Sequence, residues 1–183
     1  MNIEDIVKLV NEEKFMEFRN EFIRRINEYR KIKDHKKKKE HPLYKAIEKL
    51  YEQWKNNTIP KFYDPAKADN RLKLALVVAA KTLIYDKPLA TSQVRKFLML
   101  VGNIYRNLRT IKGEEEKSKL LLESLPKIRY IMAYTASRHQ SAMPIAEVID
   151  TIISDAKDEK RFEMFYEFLQ AVVAYHRFLG GGE

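Results

Sequence analysis

The chain has 183 residues and a mass of 21.7 kDa, with 35 Lys and Arg against 26 Asp and Glu for a formal charge of +9, which fits one ordinary domain or one domain with an appendage. Hydrophobic residues (45%) suffice for a core, so a chain disordered throughout is excluded. The absence of cysteine excludes a disulfide framework, cysteine-ligated zinc, iron–sulfur chemistry and a thiolate nucleophile. The longest apolar run, Leu74 to Ala80, is far short of the ~20 residues that span a bilayer, and the first residues lack the apolar core of a signal peptide. A cytoplasmic protein with no membrane partner is expected.

Apolar spacing is helical almost everywhere. Ile3, Ile6, Val7 and Val10 form one stripe, and Phe15, Phe18, Phe22, Ile26 and Tyr29 continue it, as one long helix or two joined near Asn11. Seven of the ten residues from Arg30 to Lys39 are cationic, and their mutual repulsion predicts an exposed, mobile linker. Pro42 suits the first turn of a helix that buries Leu43, Ala46, Ile47, Leu50, Tyr51 and Trp54 and stops at Asn56-Asn57-Thr58. Residues 58–69 read as an irregular connection. The next helix, with Leu72, Ala75, Leu76, Ala79 and Leu83, is apolar on most sides and belongs in the middle of a bundle.

After Pro88, Thr91-Ser92 offer hydroxyls to cap a helix striped by Val94, Phe97, Leu98, Val101, Ile104, Tyr105 and Leu108. A polar turn over residues 113–119 precedes a helix through Leu121, Leu125, Ile128 and Met132, which Pro126 either kinks or divides. A shorter helix follows Pro144, and the last opens near Asp158 and ends at Gly180-Gly181-Gly182, where glycine takes the left-handed cap. The expectation is an all-α, compact bundle of about five to six helices over 42–183, preceded at 1–41 by an N-terminal helix and a Lys-rich linker. Phe15, Phe18 and Phe22 require that first helix to fold back on the bundle or to exchange with a neighbouring molecule.

Catalytic constellations are thin. The histidines His35, His41, His139 and His176 lack the spacing of a helical zinc site, and no phosphate-cradling glycine loop or nucleophile elbow is present. His35 and His41 read as solvated side chains and His176 as a core imidazole; His139, next to Arg138, is the one histidine with an acid–base reading. No metal or cofactor is expected. The basic faces carry more information, because nucleic-acid binding needs cations within reach of phosphates and aromatics for stacking. Arg95, Gly102, Arg106 and Arg109 recur at steps of seven, four and three, and Lys127, Tyr130, Tyr134 and Arg138 at steps of three, four and four. Gly102 serves either close backbone approach of a ligand or tight helix packing.

Three segments, in this order and spacing, resemble the small subunit of type III-A CRISPR Csm effector complexes: Leu89-Ala90-Thr91-Ser92-Gln93-Val94-Arg95-Lys96-Phe97; Lys127-Ile128-Arg129-Tyr130 leading to Tyr134-Thr135-Ala136-Ser137-Arg138; and Phe165 to Tyr175 running on to Gly180-Gly181. The resemblance covers residue 43 to the C-terminus and departs from the family pattern at Ala90, Ser137 and Gln170. It implies a non-catalytic RNA-binding subunit that repeats along an RNA-guided complex for antiviral defence. The implied partners are guide RNA, single-stranded target RNA, other effector subunits and further copies of itself. The implied RNA-binding residues are Arg95, Lys96, Lys127, Arg129 and Arg138, acting on sugar and phosphate without reading sequence, and the spacing of the basic faces adds Arg106 and Tyr134 to them. Two other readings remain open: a helical scaffold whose basic faces meet acidic proteins, and an RNA-modifying enzyme using His139.

Overall fold

The computed structural model describes residues 2–182, and among them there are nine α-helices and no strand. The helices are α1 (Ile3–Asn11), α2 (Phe15–Lys31), α3 (His35–Glu40), α4 (Pro42–Thr58), α5 (Ala68–Leu83), α6 (Thr91–Thr110), α7 (Glu114–Arg138), α8 (Met143–Ile152) and α9 (Glu159–Phe178). Single 3-10 turns at Ile59–Lys61 and Pro65–Lys67 fill the connection from α4 to α5. No described helix is long and apolar enough to cross a membrane.

α5 is the centre, as its all-round apolar sequence requires. Every side chain from Leu74 to Ala80 is fully buried, with α4, α8 and α9 packed around it. Leu72 departs from this, at the exposed N-terminal end of the helix. Buried cations tie the surroundings to α5 through specific acceptors. Arg71 donates to the Phe62 and Asp64 carbonyls at 2.8 Å each, which fixes the irregular 58–67 segment. Lys73 pairs with Glu13 at 2.8 Å and sits over the Trp54 ring. Glu13, with φ at +61°, turns the chain between α1 and α2, so this pair fastens that turn to the core.

The N-terminal segment is therefore two helices joined just after Asn11, and they fold back on their own chain. Ile6, Val10, Phe18, Phe22, Ile26 and Tyr29 belong to the common core, and the Tyr29 hydroxyl donates to the Ile84 carbonyl at 2.8 Å. The lysine-rich stretch is ordered into α3, contrary to the expected mobile linker. Asp34 caps it by accepting from the Lys36 and Lys37 amides, and Lys38 crosses the Tyr29 ring to pair with Asp86. Local capping and one long-range ion pair thus outweigh the repulsion. His41 is likewise not solvated: its Nδ1 accepts from the Leu43 amide to cap α4, and its ring packs on Tyr29.

Two further expectations change. α7 starts at Glu114, directly after Gly113, because three glutamates in its first turn favour the positive end of the helix dipole. Pro126 lies inside α7 without dividing it. Thr91 does not cap α6 through its side chain. Its amide donates to the Gly182 carbonyl at 2.8 Å, and its hydroxyl meets the buried His176 Nδ1 at 3.0 Å and the Gly181 carbonyl. The glycine tail reaches this position because Gly180 adopts φ +86°, and a Cβ on Gly181 would lie 2.2 Å from the His176 ring.

Phe18→Ala should cost about 3–5 kcal/mol of unfolding free energy in urea titration, as for a fully buried phenylalanine; a loss near zero would mean that α2 is not part of the core. Burial holds the His176 imidazole below its ordinary value of 6.5, opposed by the Leu89 backbone, and burial acts on His41 in the same direction. The unfolded chain therefore binds protons that the folded one refuses, so stability is complete above pH ~6.5 and falls as the pH drops from there towards the folded-state values. Urea midpoints measured across that range should decline, and the decline should be shallower in His176→Asn.

Candidate nucleic-acid interface

α6 and α7 each have one buried stripe, which leaves the rest of each helix to solvent. On α6 the stripe is Val94, Phe97, Val101 and Leu108, and it includes Gly102. A Cβ at Gly102 would come 3.0 Å from the Tyr166 hydroxyl of α9, so this glycine serves helix packing and is not part of a basic face. Arg95 is half-buried in the second turn, Lys96 is exposed beside it, and Arg106 is exposed near the far end, where its guanidinium meets the Asn103 side chain. Met99, 66% exposed, lies between Arg95 and Arg106 on the same side. Arg109 leans over the Tyr105 ring, which stacks on Tyr166.

On α7 the row Lys127, Tyr130, Tyr134, Arg138 points away from the core, with the tyrosines 62% and 60% exposed. Arg138 donates to the Tyr134 hydroxyl at 3.0 Å and lies over its ring at 5.7 Å, so the end of the row is a cation backed by a phenol. Lys127 has no ionic partner among the described residues. Arg129 lies on a different side of α7: its Nε pairs with Asp150 of α8 at 2.7 Å and its guanidinium also donates to the Asp150 carbonyl at 2.8 Å. That bidentate contact fixes the α7–α8 pair and offsets part of the charge.

The start of α6 and the end of α7 are joined, because the Gln93 side chain meets His139 Nε2 at 2.9 Å. Arg95, Lys96 and Arg138 therefore lie at one end of the helix pair, whereas Arg106 and Lys127 lie along its length. The α6 N-terminus itself is partly occupied, since the glycine tail accepts from the Thr91 amide. His139 is half-buried and held by Gln93, and among the described residues no carboxylate orients it. Among the described residues no group of three or more His, Asp or Glu side chains is placed to hold a metal ion. Sequence reasoning passed over a cavity next to Arg138, bordered by α3 and the α5–α6 connection; its residues are scattered from Tyr29 to Ser141 and share no periodic pattern.

Fold and surface together define an all-helical protein with cationic, tyrosine-bearing helix faces around an apolar core. Residues 66–182 match the model of the family described as Csm2 Type III-A, which is well over half of the chain. The chain belongs to that family, the small subunit of type III-A CRISPR Csm complexes. It is also 28% identical over 95 residues to a Streptococcus thermophilus protein described as "CRISPR system Cms protein Csm2", a match that covers 51% of this chain and 74% of that one. No solved structure matches the chain.

Proposed function

We propose that the chain is a non-catalytic, RNA-binding subunit of a type III-A Csm effector complex, which lays guide RNA and single-stranded target RNA along α6 and α7 through sequence-independent contacts. The observation that carries this reading is the α7 row: two cations and two exposed tyrosines on one face, at steps of three, four and four positions. Lysine and arginine answer phosphate charge, and tyrosine supplies a flat face that accepts any base or sugar. Arg95, Lys96 and Arg106 extend the cationic surface onto α6. Arg129 contributes less than Arg138, because Asp150 already holds it.

Association with other effector subunits and with further copies of this chain belongs to the same reading. Met99 and Leu122, 66% and 71% exposed, place apolar area on the outer surface of α6 and α7, where a second protein can cover it. These residues also support the scaffold alternative, in which the basic faces meet acidic proteins.

Fluorescence anisotropy of a single-stranded RNA over a range of salt concentrations separates the two. Each phosphate contact contributes roughly 0.7 to the log–log salt slope of a single strand, so Lys127→Ala/Arg138→Ala should lower that slope by roughly 1.4 with the melting temperature unchanged. Arg129→Ala should change the slope less than either single substitution. An unaltered slope in the double variant would exclude RNA from α7 and favour the scaffold.

A further inference from the structure

The cavity next to Arg138 has a volume of about 640 Å3, within the range of pockets that hold small organic ligands. It lies between α3, the α5–α6 connection and the last turn of α7, and two carboxylates and several cations face it. Both carboxylates are already answered by the chain: Glu48 by Lys81 at 3.1 Å and Asp86 by Lys38. Lys39 and Lys87 have no ionic partner among the described residues, and Arg138 has only the neutral Tyr134 hydroxyl. Three cations are thus left over, which gives the cavity a net positive field.

Part of the remaining wall is aromatic. Tyr44 and Tyr85 are half-buried, and burial together with the nearby Glu48 raises both phenols above their ordinary value, so they are neutral. A half-enclosed phenol face is the type of surface on which a planar base stacks. An inorganic anion would use the cations and leave these faces unfilled. An acidic peptide side chain would do the same. Uncompensated cations beside aromatic faces fit a ligand that is anionic at one end and flat at the other.

We propose that this cavity binds a single nucleotide unit, with the phosphate against Lys39, Lys87 and Arg138 and the base against Tyr44 and Tyr85. The site deepens the RNA-binding reading and rests on it, because Arg138 closes both the α7 row and the cavity wall. The unit is either a free nucleotide or the terminal nucleotide of a strand lying on α7; the chemistry is the same. α3 acquires a purpose in this arrangement: its capping by Asp34 and the Lys38–Asp86 pair hold Lys39 at the rim.

The test is calorimetric titration of the full chain with adenosine 5′-monophosphate. Lys39→Glu/Lys87→Glu should weaken binding at least ten-fold, whereas the charge-matched Lys36→Glu/Lys37→Glu, on the same short helix but outside the cavity, should leave it within two-fold. Inorganic phosphate alone and adenosine alone should each bind at least ten-fold more weakly than the nucleotide. Absence of nucleotide binding, equal loss in the two variants, or phosphate binding as tightly as the nucleotide overturns the proposal. A 5′-phosphorylated RNA preferred over its 5′-hydroxyl form supports the site with a strand end as ligand, and equal binding of the two supports it with the free nucleotide. If the nucleotide fails to bind while RNA still responds to Lys127→Ala/Arg138→Ala, the cavity assignment falls and the RNA reading stands. If the nucleotide binds and that response is missing, the RNA face falls instead.

Discussion

The complete burial of α5 between Leu74 and Ala80 governs the rest of the molecule. From Leu74 to Ala80 the helix has no side that water reaches, so neighbouring helices must enclose it on all sides, each giving up one apolar stripe to do so. Burying a side chain of leucine or valine size contributes about 1.5–3 kcal/mol, and Leu74, Leu76, Val77 and Val78 each make such a contribution, while Ala75, Ala79 and Ala80 let the neighbouring helices approach closely. α4, α8 and α9 pack directly on α5, and α6 and α7 are added outside them. Being one layer out, α6 and α7 bury one stripe and expose the remainder, which is why the outward rows occur on these two helices and not on α5.

Charge is sorted by the same geometry. Cations near the core are matched within the chain: Lys73 by Glu13, Lys81 by Glu48, Lys38 by Asp86, Lys117 by Glu159. Arg71, buried without a carboxylate, is matched by two carbonyl oxygens. Such pairs fix the arrangement of helices more than they stabilise it, since partly exposed ion pairs contribute about 0–1 kcal/mol. Cations such as Lys96, Lys127, Lys39 and Lys87 are left without an ionic partner among the described residues, and they project from α6, from α7 and around the cavity at the end of α7. An excess of positive charge that the fold does not use is the physical basis of the proposal that these surfaces meet a polyanion.

The helices with strong periodicity were legible in the sequence. α4, α5, α8 and α9 lie where their stripes and prolines put them, and the glycine end of α9 takes the left-handed conformation expected of it. The family resemblance likewise agrees with the match over residues 66–182. What was not legible depends on partners distant in the chain. The Lys36–Lys39 run reads as mobile until Asp86 and Tyr29 are placed beside it, and Thr91 reads as a cap until the C-terminal glycines occupy that helix end. Gly102 left two alternatives open, and only the position of Tyr166 decides for packing. The spacing of the α7 row was visible, but the attachment of Arg129 to Asp150 was not, because the two residues lie on different helices.

The central claim is that RNA lies on the outward face of α7. Photocrosslinking of a single-stranded RNA containing 4-thiouridine, followed by mass spectrometry of the crosslinked peptides, tests it most directly. Adducts on Tyr130 and Tyr134, with further sites near Lys96 on α6, are the result this account requires. Adducts confined to α1, α2 or α9, with α7 unmodified, would contradict it.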